Sequence, residues 1–171
     1  MTDDDRRGDT NSGDTITVQL PPERVAGLRS GRRGEVRAAI KGLSRKELAA
    51  WLQTPDGEEV LRDAFRRMPQ YYVPDPSLDE TLVRWRVKRA AHASVDYDLM
   101  IGPLGCVVAD TDAAAKPRVT LTVDSVGFVE MASAARRGVD LLLHGRLHVQ
   151  GDVRLAMRME KLFGFDADAE H

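Results

Sequence analysis

Near residue 78 the spacing of apolar residues changes from the period of a helix to the period of a strand, and that switch constrains the fold more than any other feature. Upstream, "SRKELAAWLQ" sets Ser44 three residues before Glu47, a capping box, ahead of an apolar Leu48/Trp51/Leu52 face. "TPDGEEVLRDAFRRMPQYYV" opens on Thr54 and Pro55, a cap and a first-turn proline. Val60, Leu61, Ala64, Phe65 and Met68 then recur at helical spacing, with Pro69 near the end. "PPERVAGLRS" reads as a further short helix and "VPDPSLDE" as a proline-marked connection.

Downstream the period is two. "TLVRWRVKR" alternates Leu82, Arg84 and Arg86 against Val83, Trp85 and Val87, a strand with one wet face. "ASVDYDLMI" alternates similarly, "GPLG" is a turn, and "CVVAD" and "PRVTLTVD" read as two more strands. "SVGFVEMASAARR" reads as a helix, "GRLHVQG" as a short strand and "DVRLAMRMEKLF" as the last helix. Helices, strands, helix, strand, helix is the order of an α+β domain with a mostly antiparallel sheet covered by helices. The predicted division is an acidic disordered tail over 1–18, a helical extension over 19–77, the α+β domain over 78–166 and a short tail over 167–171.

Bulk properties narrow the function. A length of 171 residues is ample for a core, and a net charge of −2 gives no whole-molecule pull toward nucleic acid or membrane. The single cysteine, Cys106, excludes internal disulfides and suits a reducing cytoplasm; its apolar "CVV" setting reads as a structural thiol. No 18-residue apolar run exists, and the acidic "MTDDDRRGDTNSGD" has no apolar core, so neither a membrane span nor a secretory signal is expected.

The last helix is unusual. Asp152 is a good N-cap, and Arg154, Arg158 and Lys161 fall into one narrow stripe. Nearly everything else is apolar: Val153, Leu155, Ala156, Met157, Met159, Leu162 and Phe163. A surface helix hides one stripe, so this one is either solid core or one side of a pocket.

The stretch from Pro117 to Phe165 resembles the sterol carrier protein 2 family. Thr120, Leu121, Thr122, Val123 and Asp124 match its strand and acidic cap, with Phe128 and Met131 on the following helix. Gly145, Arg146, Leu147, Val149, Gly151, Asp152, Leu155, Ala156 and Met157 match its last strand and terminal helix. "VLRDAFRRMPQYY" is similar to the helical lead-in of bacterial members. The chain departs from the family in "SAARRGVDLLLHG", where the turn glycine, Gly138, comes late and no proline follows, so a differently shaped cavity rim is expected.

The resemblance implies a five-stranded sheet and helices enclosing an apolar tunnel for a fatty acyl chain, a sterol or another lipid-like molecule, with no cofactor and no catalysis. It favours pocket wall over solid core for the last helix. The implied lining is Trp85, Val87, Leu99 and Ile101 from the strands, with Phe128, Met131 and Leu142 after them. Leu147, Val149, Leu155, Ala156, Met159, Leu162 and Phe163 complete it. Methionine suits such a wall because its unbranched thioether repacks around different shapes.

Rival features are few. No nucleophile elbow, P-loop or dinucleotide fingerprint occurs. His144 and His148 are four apart but straddle a glycine, without a carboxylate or thiol at metal-ligand spacing, so no metal is expected. Partly exposed strand histidines are the plainer reading. Asp96 and Asp98 share a strand face, where outward solvation competes with a paired-carboxylate role. An enzyme or chaperone for a polyketide-like intermediate would need one of Tyr97, Asp96, Asp98, His144 or His148 in the cavity.

Between Arg24 and Lys46 there are eight cations and one acid, Glu35, which offers an interaction module as a third reading. Arg33, Arg37 and Lys41 would line one side of a helix, and Arg154, Arg158 and Lys161 form the other stripe. Solvated faces explain both. As docking surfaces they suit an anionic membrane or an acidic protein; without interleaved aromatics they disfavour nucleic acid.

Overall fold

The computed structural model describes residues 18–165. The predicted tails, 1–18 and 167–171, lie outside the described residues except for Val18. The extension forms α1 (Pro22–Arg29), α2 (Arg33–Ile40), α3 (Arg45–Trp51) and α4 (Pro55–Tyr71). Next come β1 (Thr81–Lys88), β2 (Val95–Ile101), β3 (Cys106–Ala109) and β4 (Val119–Asp124). The chain closes with α5 (Ser125–Ala132), α6 (Gly138–Leu143), β5 (Leu147–Gly151) and α7 (Val153–Leu162).

The sequence caps operate as written. Ser44 and Glu47 form the reciprocal capping box of α3. Thr54, Asp124 and Asp152 accept from the backbone N–H of Gly57, Gly127 and Leu155, at 3.2, 2.8 and 2.9 Å, and so start α4, α5 and α7.

The five strands lie in the order β3-β2-β1-β4-β5. β1 pairs antiparallel with β2 and parallel with β4; the two outer pairs are antiparallel. Val83, Trp85, Val87, Leu99, Ile101, Val119, Leu121 and Val123 are all buried. At the centre Phe65 of α4 stacks on Tyr97 at 4.0 Å and on Phe128 at 4.4 Å, with Trp85 edge-on to Phe65 at 6.3 Å. The extension and the α+β domain therefore share one core.

Three local expectations need correction. The second face of β1 is not wet throughout: Arg84 and Asp98 are buried, and the Arg84 Nη2 donates to the Asp112 carbonyl at 2.7 Å as the 110–116 loop folds over them. The helix expected over "SVGFVEMASAARR" stops at Ala132, because Ala134 takes a left-handed φ of 55°. "GVDLLL" winds instead into the separate helix α6, capped at its C-terminus by His144, so that histidine is not on a strand.

Candidate functional site

The glycine at 138 opens α6 at a point where a side chain would press on Glu160 and Met131. A Cβ there would stand 3.0 Å from Glu160 Oε1 and 3.3 Å from the Met131 sulfur. This close approach brings α6 beside α7, and between them and the β4–β5 end of the sheet lies a cavity of about 400 Å³. Trp85 and Leu121 form its floor from β1 and β4, and Leu147 and Val149 continue it on β5. Met131, Val139 and Leu142 supply one wall; Val153, Ala156, Met157, Met159 and Phe165 supply the other.

Helix α7 presents two apolar stripes. Leu155, Met159 and Leu162 are buried toward the core. Val153, Ala156, Met157 and Glu160, spaced i, i+3, i+4 and i+7, border the cavity. Val153 and Met157 are 57 % and 60 % exposed, which marks the mouth. Leu143, next in the chain to the wall residue Leu142, is 78 % exposed and is not part of the wall.

The expected lining divides in half. Trp85, Met131, Leu142, Leu147, Val149, Ala156 and Met159 border the cavity. Val87, Leu99, Ile101, Phe128, Leu155, Leu162 and Phe163 are buried elsewhere. Leu99 and Ile101 are on β2, on the far side of β1 from the hollow end of the sheet. Phe128 is spent on the aromatic stack, and Phe163 packs on Tyr72 at 5.3 Å. Leu121, Gly138, Val139, Val153, Met157, Glu160 and Phe165 were not anticipated. The i, i+3, i+4, i+7 spacing on α7 was the available signal for three of them.

Polar groups are scarce on the wall. Glu160 Oε1 accepts from the Val139 N–H at 3.1 Å, and its other oxygen lies 3.7 Å from Arg137 Nη2. His148 borders the cavity, yet it sits between the wall residues Leu147 and Val149, so strand alternation turns its exposed ring to the opposite face. The other polar candidates lie off the wall. Tyr97 is in the aromatic stack, Asp96 and Asp98 pair with Arg86 and Arg84, and His144 Nδ1 is 2.6 Å from the Asp140 carbonyl oxygen. Asp96 is held below the usual carboxylate range by the hydrogen bond from Arg86, the opposite of what a general acid at neutral pH requires.

The basic stripe on α2 is not an open surface. Arg33 donates to the carbonyls of Phe163 and Gly164, and its guanidinium lies over the Tyr71 ring at 4.4 Å. Arg37 Nε donates to the Ser133 carbonyl at 3.2 Å. Ser133 and Phe163 are the C-caps of α5 and α7, so two arginines of the extension satisfy carbonyls that those helix ends leave unpaired. Lys41 remains exposed at the end of α2. In the other stripe Arg158 donates to Asp75 and Ser77, while Arg154 and Lys161 are exposed.

No curated protein matches the chain. Among solved structures, sterol carrier protein 2 like 2 from Aedes aegypti is 19 % identical, over 61 % of this chain and 94 % of that one, with a TM-score of 0.46. Sterol carrier protein 2 from Yarrowia lipolytica is 13 % identical over 90 % and 99 %, with a TM-score of 0.43. The MycE methyltransferase from the mycinamycin biosynthetic pathway is similar in fold at 13 % identity, over 87 % of this chain but 40 % of that enzyme, with a TM-score of 0.52. The sequence model of the SCP-2 sterol transfer family matches residues 77–164, just over half of the chain, which runs from the connection before β1 through α7 and includes the cavity-bearing end of the sheet: the chain belongs to the SCP-2 sterol transfer family.

Proposed function

We propose that this chain binds and carries a lipid-like hydrophobic molecule, a fatty acyl chain, a sterol or a molecule of similar shape, without transforming it. One observation supports the reading above others: about 400 Å³ of space bounded almost wholly by apolar side chains, a volume within the range of small-molecule sites. An apolar guest filling that space recovers dispersion contacts that the bare wall lacks. Met131, Met157 and Met159 let the wall adjust to more than one shape. The lone, partly buried Cys106 suits work in a reducing cytoplasm.

Loading takes place at the mouth, against an anionic membrane. There Val153 and Met157 offer apolar contact, and Arg154 and Lys161 on the same helix offer charge. Native mass spectrometry of the full chain purified from cells, followed by titration with a fluorescent fatty acid, tests the carrier reading. Co-purified lipid and saturable one-to-one uptake are expected. A protein that emerges without lipid and takes up neither the fatty acid nor a fluorescent sterol rejects it.

A further inference from the structure

One carboxylate borders the larger cavity. Among the described residues on its wall Glu160 is the only acid, and no lysine or arginine joins it. Its side chain is 18 % exposed. The two oxygens are used differently. Oε1 accepts from the Val139 N–H at 3.1 Å, in the first turn of α6, where the N-cap residue Arg137 supplies no side-chain bond. A residue of α7 therefore caps α6. Oε2 accepts no hydrogen bond among the described residues, and Arg137 Nη2 stands 3.7 Å away on a side chain that is 54 % exposed. Nor is Oε2 one of the enclosed, unpartnered side-chain atoms, whereas the Trp85 Nε1 in the floor is. One carboxylate oxygen is thus open, with acceptor capacity to spare.

A guest that fills the cavity displaces water from this oxygen. Hydrocarbon alone would leave a desolvated charge without a full partner, which is costly. A carboxylate head would repel it, so an acid is held by its chain alone. A hydroxyl donates one bond and leaves the charge in place. An ammonium donates and neutralises at once, in the stronger class of hydrogen bond. Val153, Ala156 and Met157 continue the same stripe of α7 from Glu160 to the mouth, about 10 Å of apolar cover.

We propose that Glu160 Oε2 is the head-group site of the larger cavity, and that the guest it selects is an amphiphile bearing a protonated amine on an apolar body. This assignment rests on the carrier reading and narrows it.

The test is calorimetric titration of the full chain with decylamine, 1-decanol and decanoate, three heads on one tail, at constant pH and ionic strength. Decylamine is expected to bind at least about tenfold more tightly than either of the others, the order for a hydrogen bond between charged groups. Glu160→Gln keeps an oxygen for the Val139 N–H and removes the charge. It is expected to abolish the preference for the amine while decanol keeps its wild-type affinity. Arg137→Gln takes away the rival cation and is expected to tighten decylamine by roughly threefold, a gain that no loss of folding produces. Equal affinities for the three heads overturn the head-group site, as does a preference for decylamine that survives in Glu160→Gln; in both cases the carrier reading stands. If none of the three binds, both readings fall.

Discussion

Arg84 and Asp98 form a two-pronged ion pair across β1 and β2, with Nε and Nη2 each donating to a separate carboxylate oxygen at 2.8 Å, and both side chains buried at 7 % and 1 % exposure. Asp96 approaches the same guanidinium at 4.0 Å. Deleting the cation alone leaves two neighbouring carboxylates, one fully enclosed. Arg84→Leu is expected to destabilise the chain by about 3–5 kcal/mol in urea unfolding, and Arg84→Leu with Asp98→Leu to recover most of that loss. A single variant within about 1 kcal/mol of wild type would show the pair to be dispensable.

Gly151 ends β5 with a φ of 99°, and a Cβ there would collide with the carbonyl oxygen of Arg118, the residue before β4. That carbonyl also accepts from the Asp152 N–H at 2.9 Å, so the collision falls on the joint that launches α7. Gly151→Ala should lose about 1–3 kcal/mol, read from the urea midpoint at unchanged slope. An unshifted midpoint refutes the close approach.

Ala156 faces the larger cavity from the middle of α7. Ala156→Phe puts a ring into the hollow without burying charge, and fatty acid affinity should fall at least about tenfold with little change in stability. Leu155→Asp is a different experiment: Leu155 is in the core, so that variant should unfold rather than merely release ligand. Retention of full affinity in folded Ala156→Phe would place the guest elsewhere.

Asp75 accepts from the Ser77 hydroxyl at 2.7 Å and the Ser77 N–H at 2.9 Å, and from Arg158 of α7; these bonds hold its pKa at about 2 against an ordinary 3.8. The folded value is depressed, so the stabilisation is complete above 3.8 and is lost as pH falls through about 2. Asp75→Asn should therefore be less stable than wild type near neutrality, with the gap closing over that acid window. A carboxyl titration by NMR with its midpoint near 3.8 would show the clamp on α7 to be absent.

Cys106 has its thiol pushed up to about 12 by burial. At neutral pH it carries almost no thiolate, so iodoacetamide should modify the native chain at least about tenfold more slowly than the urea-unfolded one. Equal rates would mean that the thiol is open to solvent.

Local rules carried most of the elements and the capped starts of α3 and α7, but not the end of α5 or the separate helix α6. The capping box at Ser44, the cap at Asp152 and the alternation of "TLVRWRVKR" need only neighbours within a few residues, and each is legible along the chain. The division of the apolar residues between floor and filling was not. Trp85 on β1 and Leu99 on β2 are both large and buried, yet one borders the cavity and the other does not, because β2 and β4 lie on opposite sides of β1.

By itself the sequence determined the change of period, the capped starts of α3, α4 and α7, the five strands and the family, since all of these are written in residue type and short spacing. Only the tertiary structure decided which arginines remain open to solvent. Arg33 and Arg37 look like a free basic stripe until α5 and α7 bring their terminal carbonyls, about 100 residues or more away in the chain, to the guanidinium groups. A guanidinium's partner depends on where distant backbone ends, and residue spacing along one helix holds no information about that.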